Sequence, residues 1–391
     1  MSRVPAVVDV TVVGGGAIGL SVAWEARRRG LSVVLFDRGP LGQGASSVAA
    51  GMLAPVAEAE FGEAGRRLLE LGQASMALWP DFAEQVRDHS DIDPGLRRAG
   101  TLLVARDRDE AEALERDLDY RRRLGLAVNR LRPSEARRLE PALAPTLRLA
   151  LELGSDHSVD PRALAEGLAV AAQCAGVTLC PGTEVERLVV DESGARVMGV
   201  ELAGGERVKA GAVVVAAGAW SGDVAGLPPE AQVPVRPVKG QLLRLRDPSG
   251  PGLIERVVRF ERTYLVPRGD GRYVLGATVE EQGFDTSVTA GAVWELLHET
   301  SAIVPGLWEL EIEEMSAGLR PATPDNVPVI GRGELEGLIW ATGHYRNGIL
   351  LAPITAEIVM ADLAAADAPA VAAGCDPVRF ARAAASSEAR R

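Results

Sequence analysis

The sequence predicts an α/β fold of two interleaved domains, a Rossmann-like nucleotide-binding domain and a mainly antiparallel α+β substrate domain. Three observations predict it. A strand, glycine loop, helix and second strand open the chain. A fully apolar run at Ala212–Ala217 returns to a central sheet. Blocks of short strands with turn residues between them fill the interval that follows.

The opening unit is "VVDVTVVGGGAIGLSVAWEARRRGLSVVLFDRG". Val7 to Val13 is a short β-branched run, typical of a buried parallel strand. Gly14-Gly15-Gly16-Ala17-Ile18-Gly19 follows as G-x-G-x-x-G. A helix pattern runs from about Ala17 to Arg29, with Gly30 as its stop, and the strand Ser32 to Phe36 ends in Asp37. Gly14 permits the tight turn, Gly16 lets the backbone approach a pyrophosphate, and Gly19 lets helix and strand pack closely. The helix start offers free N–H groups to the phosphates. Asp37 lies 18 residues after Gly19, where an acid reaches both ribose hydroxyls and disfavours a 2′-phosphate. The unit predicts a bound dinucleotide and does not by itself separate NAD from FAD.

"GPLGQGASSVAAGMLAP" (39–55) has small residues broken by Val48, Met52 and Leu53, so it reads as a loop packed on a flat ring. Residues 62–90 read as a helix, 100–107 as a strand and 108–125 as a charged helix with a solvated face. Ser134 reads as the cap of a short helix, and His157 as a loop residue. Asp160 and Pro161 read as the N-cap and first position of a helix ending at Gly176. Three strands follow within 183–217, more between 232 and 280, and a helix over about 288–303. The segments 316–331 and 338–365 close the fold, the latter with a helix beginning near Asn347. The nucleotide-binding domain is expected from 1–75, 150–225 and 317–370, the substrate domain from 76–149 and 226–316, and 371–391 as a frayed tail.

With 391 residues the chain has room for two or three domains, and 47% hydrophobic with 25% charged residues is ordinary for a globular protein. The net charge of −12 argues against a nucleic-acid surface or an acidic membrane as partner. Cys174, Cys180 and Cys375 form no CxxC pair, and the histidines at 89, 157, 298 and 344 are scattered, so no metal site is expected. Few, unpaired cysteines fit a reducing cytoplasm. Neither a leader pattern nor an apolar run of about 18–20 residues is present, so no membrane association is expected.

The chain has no GxSxG, no HExxH and no close carboxylate pair set for acid–base work, so the reactive group is expected to be a cofactor. Arg320 in "GLRPATPDN", Arg346 in "GHYRNGILLAP" and Tyr264 in "TYLVPR" suit a small carboxylate substrate, because arginine forks bind carboxylates in bidentate fashion. N–H groups at a helix start near Asn347 would stabilise a developing anion. A reduced flavin carries such a charge, and a nicotinamide does not.

Taken together, the opening unit, "GASSVAAGML", "VVVAAGAWS", "VRPVKGQ", "GLRPATPDNVPVIG" and "GHYRNGILLAP" resemble the FAD-dependent amine oxidases of the D-amino-acid oxidase superfamily, and within it the glycine oxidases of thiamine biosynthesis. The likeness spans about residues 8–365. It implies an FAD-binding domain and oxidation of glycine to the imine or glyoxylate, with O2 reduced to H2O2. Sarcosine or small D-amino acids are further substrates, and the iminoacetate would supply the thiazole of thiamine. The alternative is a D-amino-acid or sarcosine dehydrogenase with an acceptor other than O2. By resemblance, Arg320 binds the substrate carboxylate, Tyr264 stands beside it, and Arg346 is a second substrate-site arginine. No residue serves as general base. Gly14, Gly16, Ala17 and Ile18 match the pyrophosphate loop, Asp37 and Arg38 the adenosine ribose contacts, and Val185 an adenine contact. Ala45, Ser46, Ala50, Gly51 and Met52 match the loop along the flavin ring. His344, Tyr345, Arg346, Asn347, Gly348, Ile349 and Leu350 match the segment at its pyrimidine edge. Arg262 and Val279 stand where relatives carry other side chains, which bears on substrate breadth. The position of the cysteines implies non-covalent FAD, and the family likeness a homotetramer.

Overall fold

The computed structural model describes residues 4–250, 252–261 and 263–380. Two eight-stranded sheets organise them. In the first, the strands run in the order Val329–Arg332, Leu338–Thr342, Arg207–Val215, Val7–Val13, Val33–Asp37 and Thr178–Pro181. The last five are mutually parallel. Helices Ala17–Arg28, Pro161–Ala175 and Ala352–Leu363 cover one face, and an antiparallel meander of Val185–Val190 and Val197–Leu202 packs on the other. Cover on both faces is why the carboxyl halves of the two central strands, Val10–Val13 and Ala212–Val215, are largely apolar and buried, while their first halves alternate between exposed and buried residues. Val13 pairs with both Val215 and Phe36, so the glycine loop leaves the carboxyl edge between its two neighbours, where open α/β sheets bind ligands.

The second sheet runs Glu311–Ala322, Arg236–Arg246, Arg272–Gly276, Thr263–Pro267, Val257–Phe260, Thr101–Ala105, Leu149–Leu153 and Asn129–Leu131. Every pairing is antiparallel except that of Val257–Phe260 with Thr101–Ala105. Helix Ala290–Ser301 and the turn Pro305–Glu309 bury Leu296, Ile303, Val304 and Leu307 against one face.

The Asp160 side chain accepts the Arg162 N–H at 3.0 Å and Gly176 adopts φ +93°, as the sequence predicts for that helix. Several expectations need correction. Ser134 does not cap its helix. Pro133 occupies the first turn, Arg132 precedes it, and the Arg132 N–H donates to Glu135 Oε2 at 2.8 Å. His157 lies not in a loop but in a two-residue strand paired with Met52–Leu53. The helix Arg108–Arg123 carries the expected charged, solvated face, and opposite it Leu114, Leu118 and, unexpectedly, Arg121 form a buried stripe at helical spacing. Helix Gly62–Ser90 is continuous across the expected division at 75/76 and packs on the first sheet's helices through Leu71, Trp79, Ala83 and Val86. We therefore place that crossing after Ser90. Residues 370–375 form a 3-10 turn with Cys375 buried, so the chain stays packed past 371, while 381–391 lie outside the described residues.

Candidate functional site

A cavity of about 880 Å³ runs from the glycine loop to the second sheet, within the range of roughly 300–1,000 Å³ usual for ligand sites. Every residue that the resemblance assigns to cofactor or substrate lines it except Leu350. Leu350 faces away: its carbonyl accepts from Ser75 Oγ at 2.6 Å and Trp79 Nε1 at 2.8 Å, and its side chain is buried. Arg262 lies outside the described residues, and Val279 lines the cavity.

At the glycine-loop end, Gly14 has φ +108°, and a Cβ there would stand 2.4 Å from the Ala216 carbonyl oxygen. A Cβ on Gly19 would stand 1.9 Å from the Gly14 carbonyl oxygen. The helix is thus seated on the loop with no room for a side chain at either position. Gly16 differs: its Cβ would meet only Ser46 Oγ at 3.1 Å, and the rest of its surroundings is cavity. Asp37 is engaged within the protein, accepting from Gly15 N at 2.7 Å and from Gly39 N at 2.8 Å. Its neighbour Arg38 lies over the Trp220 ring at 4.2 Å. Val185 lines the wall beside them.

The second sheet ties down the segment from Ala45 to Met52. Arg244 Nη2 donates to the Ser47 carbonyl at 2.6 Å, and Arg268 Nη2 to the Ala50 carbonyl at 2.8 Å. Gly51 takes φ +79°, with its would-be Cβ 2.0 Å from the Val159 carbonyl oxygen. Small residues here bring backbone, not side chains, to the cavity wall.

At "GHYRNGILLAP" the helix does not begin near Asn347. It begins at Ala352, because Pro353, which lacks an N–H, has to sit in the first turn. Residues 347–351 form a preceding turn closed by Leu351 N to the Asn347 carbonyl at 2.8 Å. Among the described residues, the N–H groups of Gly348, Ile349 and Leu350 find no acceptor. Orphaned donors beside a cavity are the mark of a ligand's acceptor atoms.

His344 is 2% exposed, with Nε2 2.9 Å from Thr355 Oγ1, and burial pushes its pKa down to about 3. The ring is therefore neutral in the folded protein. A base with a depressed folded pKa contributes stability that is present above its unfolded value of about 6.5 and lost as pH falls toward 3. Denaturant unfolding at pH 7 and pH 5 should show the native chain losing about 2 kcal/mol more than a His344→Gln variant. Parallel losses in both would mean that His344 is protonated in the folded state.

At the other end, Arg320 Nη1 donates to the Thr278 carbonyl at 3.0 Å and to the Lys239 carbonyl at 3.2 Å. Its guanidinium lies flat against Gly240, where a Cβ would stand 2.3 Å from both terminal nitrogens. The anchored Nη1 leaves the other N–H groups for a ligand in the cavity. Tyr264 sits beside it, its hydroxyl against Gly276. Burial pushes the phenol up against the counter-pull of Arg320, so it stays protonated.

Sequence reasoning missed a cluster at this end. Glu58 pairs with Arg259 and stands 3.2 Å from Arg346 Nη2, and Arg346 also pairs with Glu60. Burial alone would push Glu58 up, but Arg259 and then Arg346 outweigh it and hold its carboxyl below the ordinary value. The same Glu58 raises the pKa of Arg346. Arg346 thus reaches the cavity wall with its charge already engaged, unlike Arg320. The signal for Arg259 was its place on a tight hairpin, directly across from Tyr264. That for Glu58 was a pair of acids in "AEAE" just past the glycine-rich segment.

Among the described residues, Cys174 is exposed, Cys180 and Cys375 are buried, and none lines the cavity. No helix is long and apolar enough to cross a membrane.

A family model described as "DAO: FAD dependent oxidoreductase" matches residues 9–363. The glycine oxidase of Geobacillus kaustophilus is 39% identical over 357 residues, 91% of this chain and 92% of that protein. A crystal structure of glycine oxidase from Geobacillus kaustophilus superposes with a TM-score of 0.88 at 36% identity, covering 96% of this chain and 99% of that one. The bifunctional protein ThiO/ThiG of Trichormus variabilis is 34% identical over 360 residues, 90% of this chain and 52% of that protein.

Proposed function

The chain belongs to the DAO family of FAD-dependent oxidoreductases, and from that premise we propose that it oxidises the amine of glycine to iminoacetate, with O2 reduced to H2O2. The observation that carries this reading is Arg320: one buried-side nitrogen anchored on two carbonyls, the rest of its fork open to the cavity.

The residues present fit the cofactor. The glycine loop and the helix start at Gly16–Ile18 would hold the pyrophosphate, Asp37 and Arg38 would face the adenosine ribose, and Val185 the adenine. Ala45, Ser46, Ala50, Gly51 and Met52 would line one side of the ring system. The unpartnered N–H groups of Gly348 and Ile349 would face its polar edge. Bound FAD supplies the acceptor for the hydride equivalent lost from Cα and returns the electron pair to O2.

Everything else falls to this chain's side chains. Arg320 binds the carboxylate and so fixes where Cα stands, which converts a bimolecular encounter into an oriented one. Tyr264, protonated, donates to the same carboxylate. At the substrate end of the cavity, among the described residues, the candidate bases are already engaged: Glu58 and Glu60 are ion-paired with arginines and His344 is turned to Thr355. The substrate amine therefore reacts as the neutral form, its proton lost to solvent before Cα–H cleavage. The imine hydrolyses to glyoxylate and ammonia or passes on to thiazole formation for thiamine, a placement that the relative named ThiO/ThiG supports.

Mixing the holoprotein with glycine in the absence of O2 should bleach the flavin absorbance, and readmitted air should restore it with one H2O2 per turnover. A flavin that stays oxidised with glycine but bleaches with sarcosine or D-alanine would overturn the substrate assignment. Re-oxidation without peroxide would overturn the oxidase assignment.

A further inference from the structure

Glu58 is a buried carboxylate that the proposed mechanism does not use, yet its place is built with care. Asp156 accepts the N–H groups of Val56 at 3.1 Å and Ala57 at 2.9 Å, while Arg121 donates to the carbonyls of the same two residues at 2.9 and 3.0 Å. Both clamping side chains are buried. The two residues immediately ahead of Glu58 are thus pinned at both N–H and carbonyl, and the Glu58 N–H itself donates to the Ala54 carbonyl at 3.0 Å. This segment delivers one carboxylate into a wall of arginines.

Among the described residues, the charged side chains at this end of the cavity are Arg259, Arg320 and Arg346 against Glu58 and Glu60. The cavity's other charged residues lie with the glycine-loop end, around Asp37 and Trp220. Three cations and two carboxylates leave one positive charge, which matches one substrate carboxylate. Without Glu58, Arg259 would turn a free fork on the cavity, and Arg346 would keep Glu60 as its one carboxylate partner, leaving two net positive charges at this end.

We propose that Glu58 sets the charge selectivity of the substrate pocket, restricting it to monocarboxylate amines by neutralising the arginines that would otherwise bind a second anionic group. The inference rests on the reading of the chain as a glycine-type amine oxidase. It makes Glu58 a specificity-determining residue, and the substrate class it excludes is that of amines bearing two carboxylates, of which iminodiacetate is the N-carboxymethyl derivative of glycine. At a few ångströms inside a partly desolvated pocket, loss of one unit charge is worth roughly tenfold or more in discrimination between the two classes.

The test is Glu58→Gln, which keeps the shape and removes the charge. The ratio of kcat/KM for iminodiacetate to that for glycine should rise about tenfold or more, and the rise should shrink in high salt. Arg259→Met should move the ratio the other way. A binding arm keeps this separate from the activity itself: acetate and malonate, which do not react, are titrated against the visible spectrum of the bound flavin. Glu58→Gln should shift preference toward malonate even if glycine proves not to be the substrate. Should Glu58→Gln fail to retain FAD, Glu60→Gln, whose side chain is 54% exposed, removes the second negative charge and should shift both readouts in the same direction by less. Unchanged ratios and unchanged malonate preference in the charge-removed variants would overturn the proposal.

Discussion

Arg320→Ala is expected to lower kcat/KM for glycine about 10²–10³-fold while FAD stays bound. Hydrogen bonds to charged groups are worth about 1.5–3 kcal/mol each, and losing a two-pronged contact to a carboxylate costs about 3–4 kcal/mol, which is that range at about 1.4 kcal/mol per tenfold. The effect should fall on KM and kcat together, because the contact both holds the substrate and fixes the direction in which Cα presents its hydrogen. Arg320→Lys should recover little. The site is shaped for a plane: Nη1 is held by the Thr278 and Lys239 carbonyls, and Gly240 leaves no room above the guanidinium. An ammonium cannot hold two carbonyls and still present a fork. Gly240→Ala should then act as a partial copy of the lesion, since the new methyl would press on both terminal nitrogens. Steady-state kinetics alongside the 450 nm absorbance of the purified variants decide the matter. Wild-type kinetics in Arg320→Ala would remove this arginine from the substrate site, and with it the carboxylate anchor.

How far the sequence carried the reading follows the distance over which each feature is determined. The strand, glycine loop, helix and acid at residues 7–37 are one local unit, and each position has a steric or electrostatic reason that needs no distant partner. The Asp160–Pro161 helix start is equally local. Pro353 was as readable: a helix running from Asn347 would bury a residue without an N–H in its interior, and the observed start at Ala352 removes that conflict. What the sequence hides is pairing between remote elements. Arg259 and Glu58 are 201 residues apart, and Arg346 and Glu60 are 286 apart. No spacing rule links them. Arg346 looked free in a glycine-bracketed turn, and only the fold shows two carboxylates already on it. Arg121 misleads in the opposite sense. In "YRRRLG" it looks like one more solvated charge, but the helix turns it inward to hold the peptide groups that present Glu58. Both errors have one source: charge patterns along a chain identify exposed faces well and buried ion pairs poorly, because burial of a charge depends on partners supplied from elsewhere.

Gly14→Ala should abolish FAD retention and weaken the fold itself. At φ +108° an alanine is strained before any contact is counted, a cost of order 1–3 kcal/mol. Its methyl would also stand 2.4 Å from the Ala216 carbonyl oxygen. That oxygen cannot retreat easily, since the Ala216 N–H is held by the Val13 carbonyl at 2.8 Å and the strand before it is buried in the centre of the sheet. The loop must therefore move, and with it the helix start, because Gly19 packs directly on the Gly14 carbonyl. Gly16→Ala separates the two consequences. Its methyl would meet only Ser46 Oγ at 3.1 Å, a contact that a side chain can relieve. The apoprotein should then melt within a few degrees of the native apoprotein, while the methyl occupies the space into which a pyrophosphate has to come. Flavin content from the ratio of 450 to 280 nm absorbance, together with melting curves of the apoproteins, reads both effects. Gly14→Ala should show a lowered apoprotein melting temperature and no flavin. Gly16→Ala should show a near-native apoprotein and strongly reduced flavin. If Gly16→Ala kept a full complement of FAD, the pyrophosphate would not lie over this glycine. If Gly14→Ala did so, the loop would not be the rigid seat that its contacts describe.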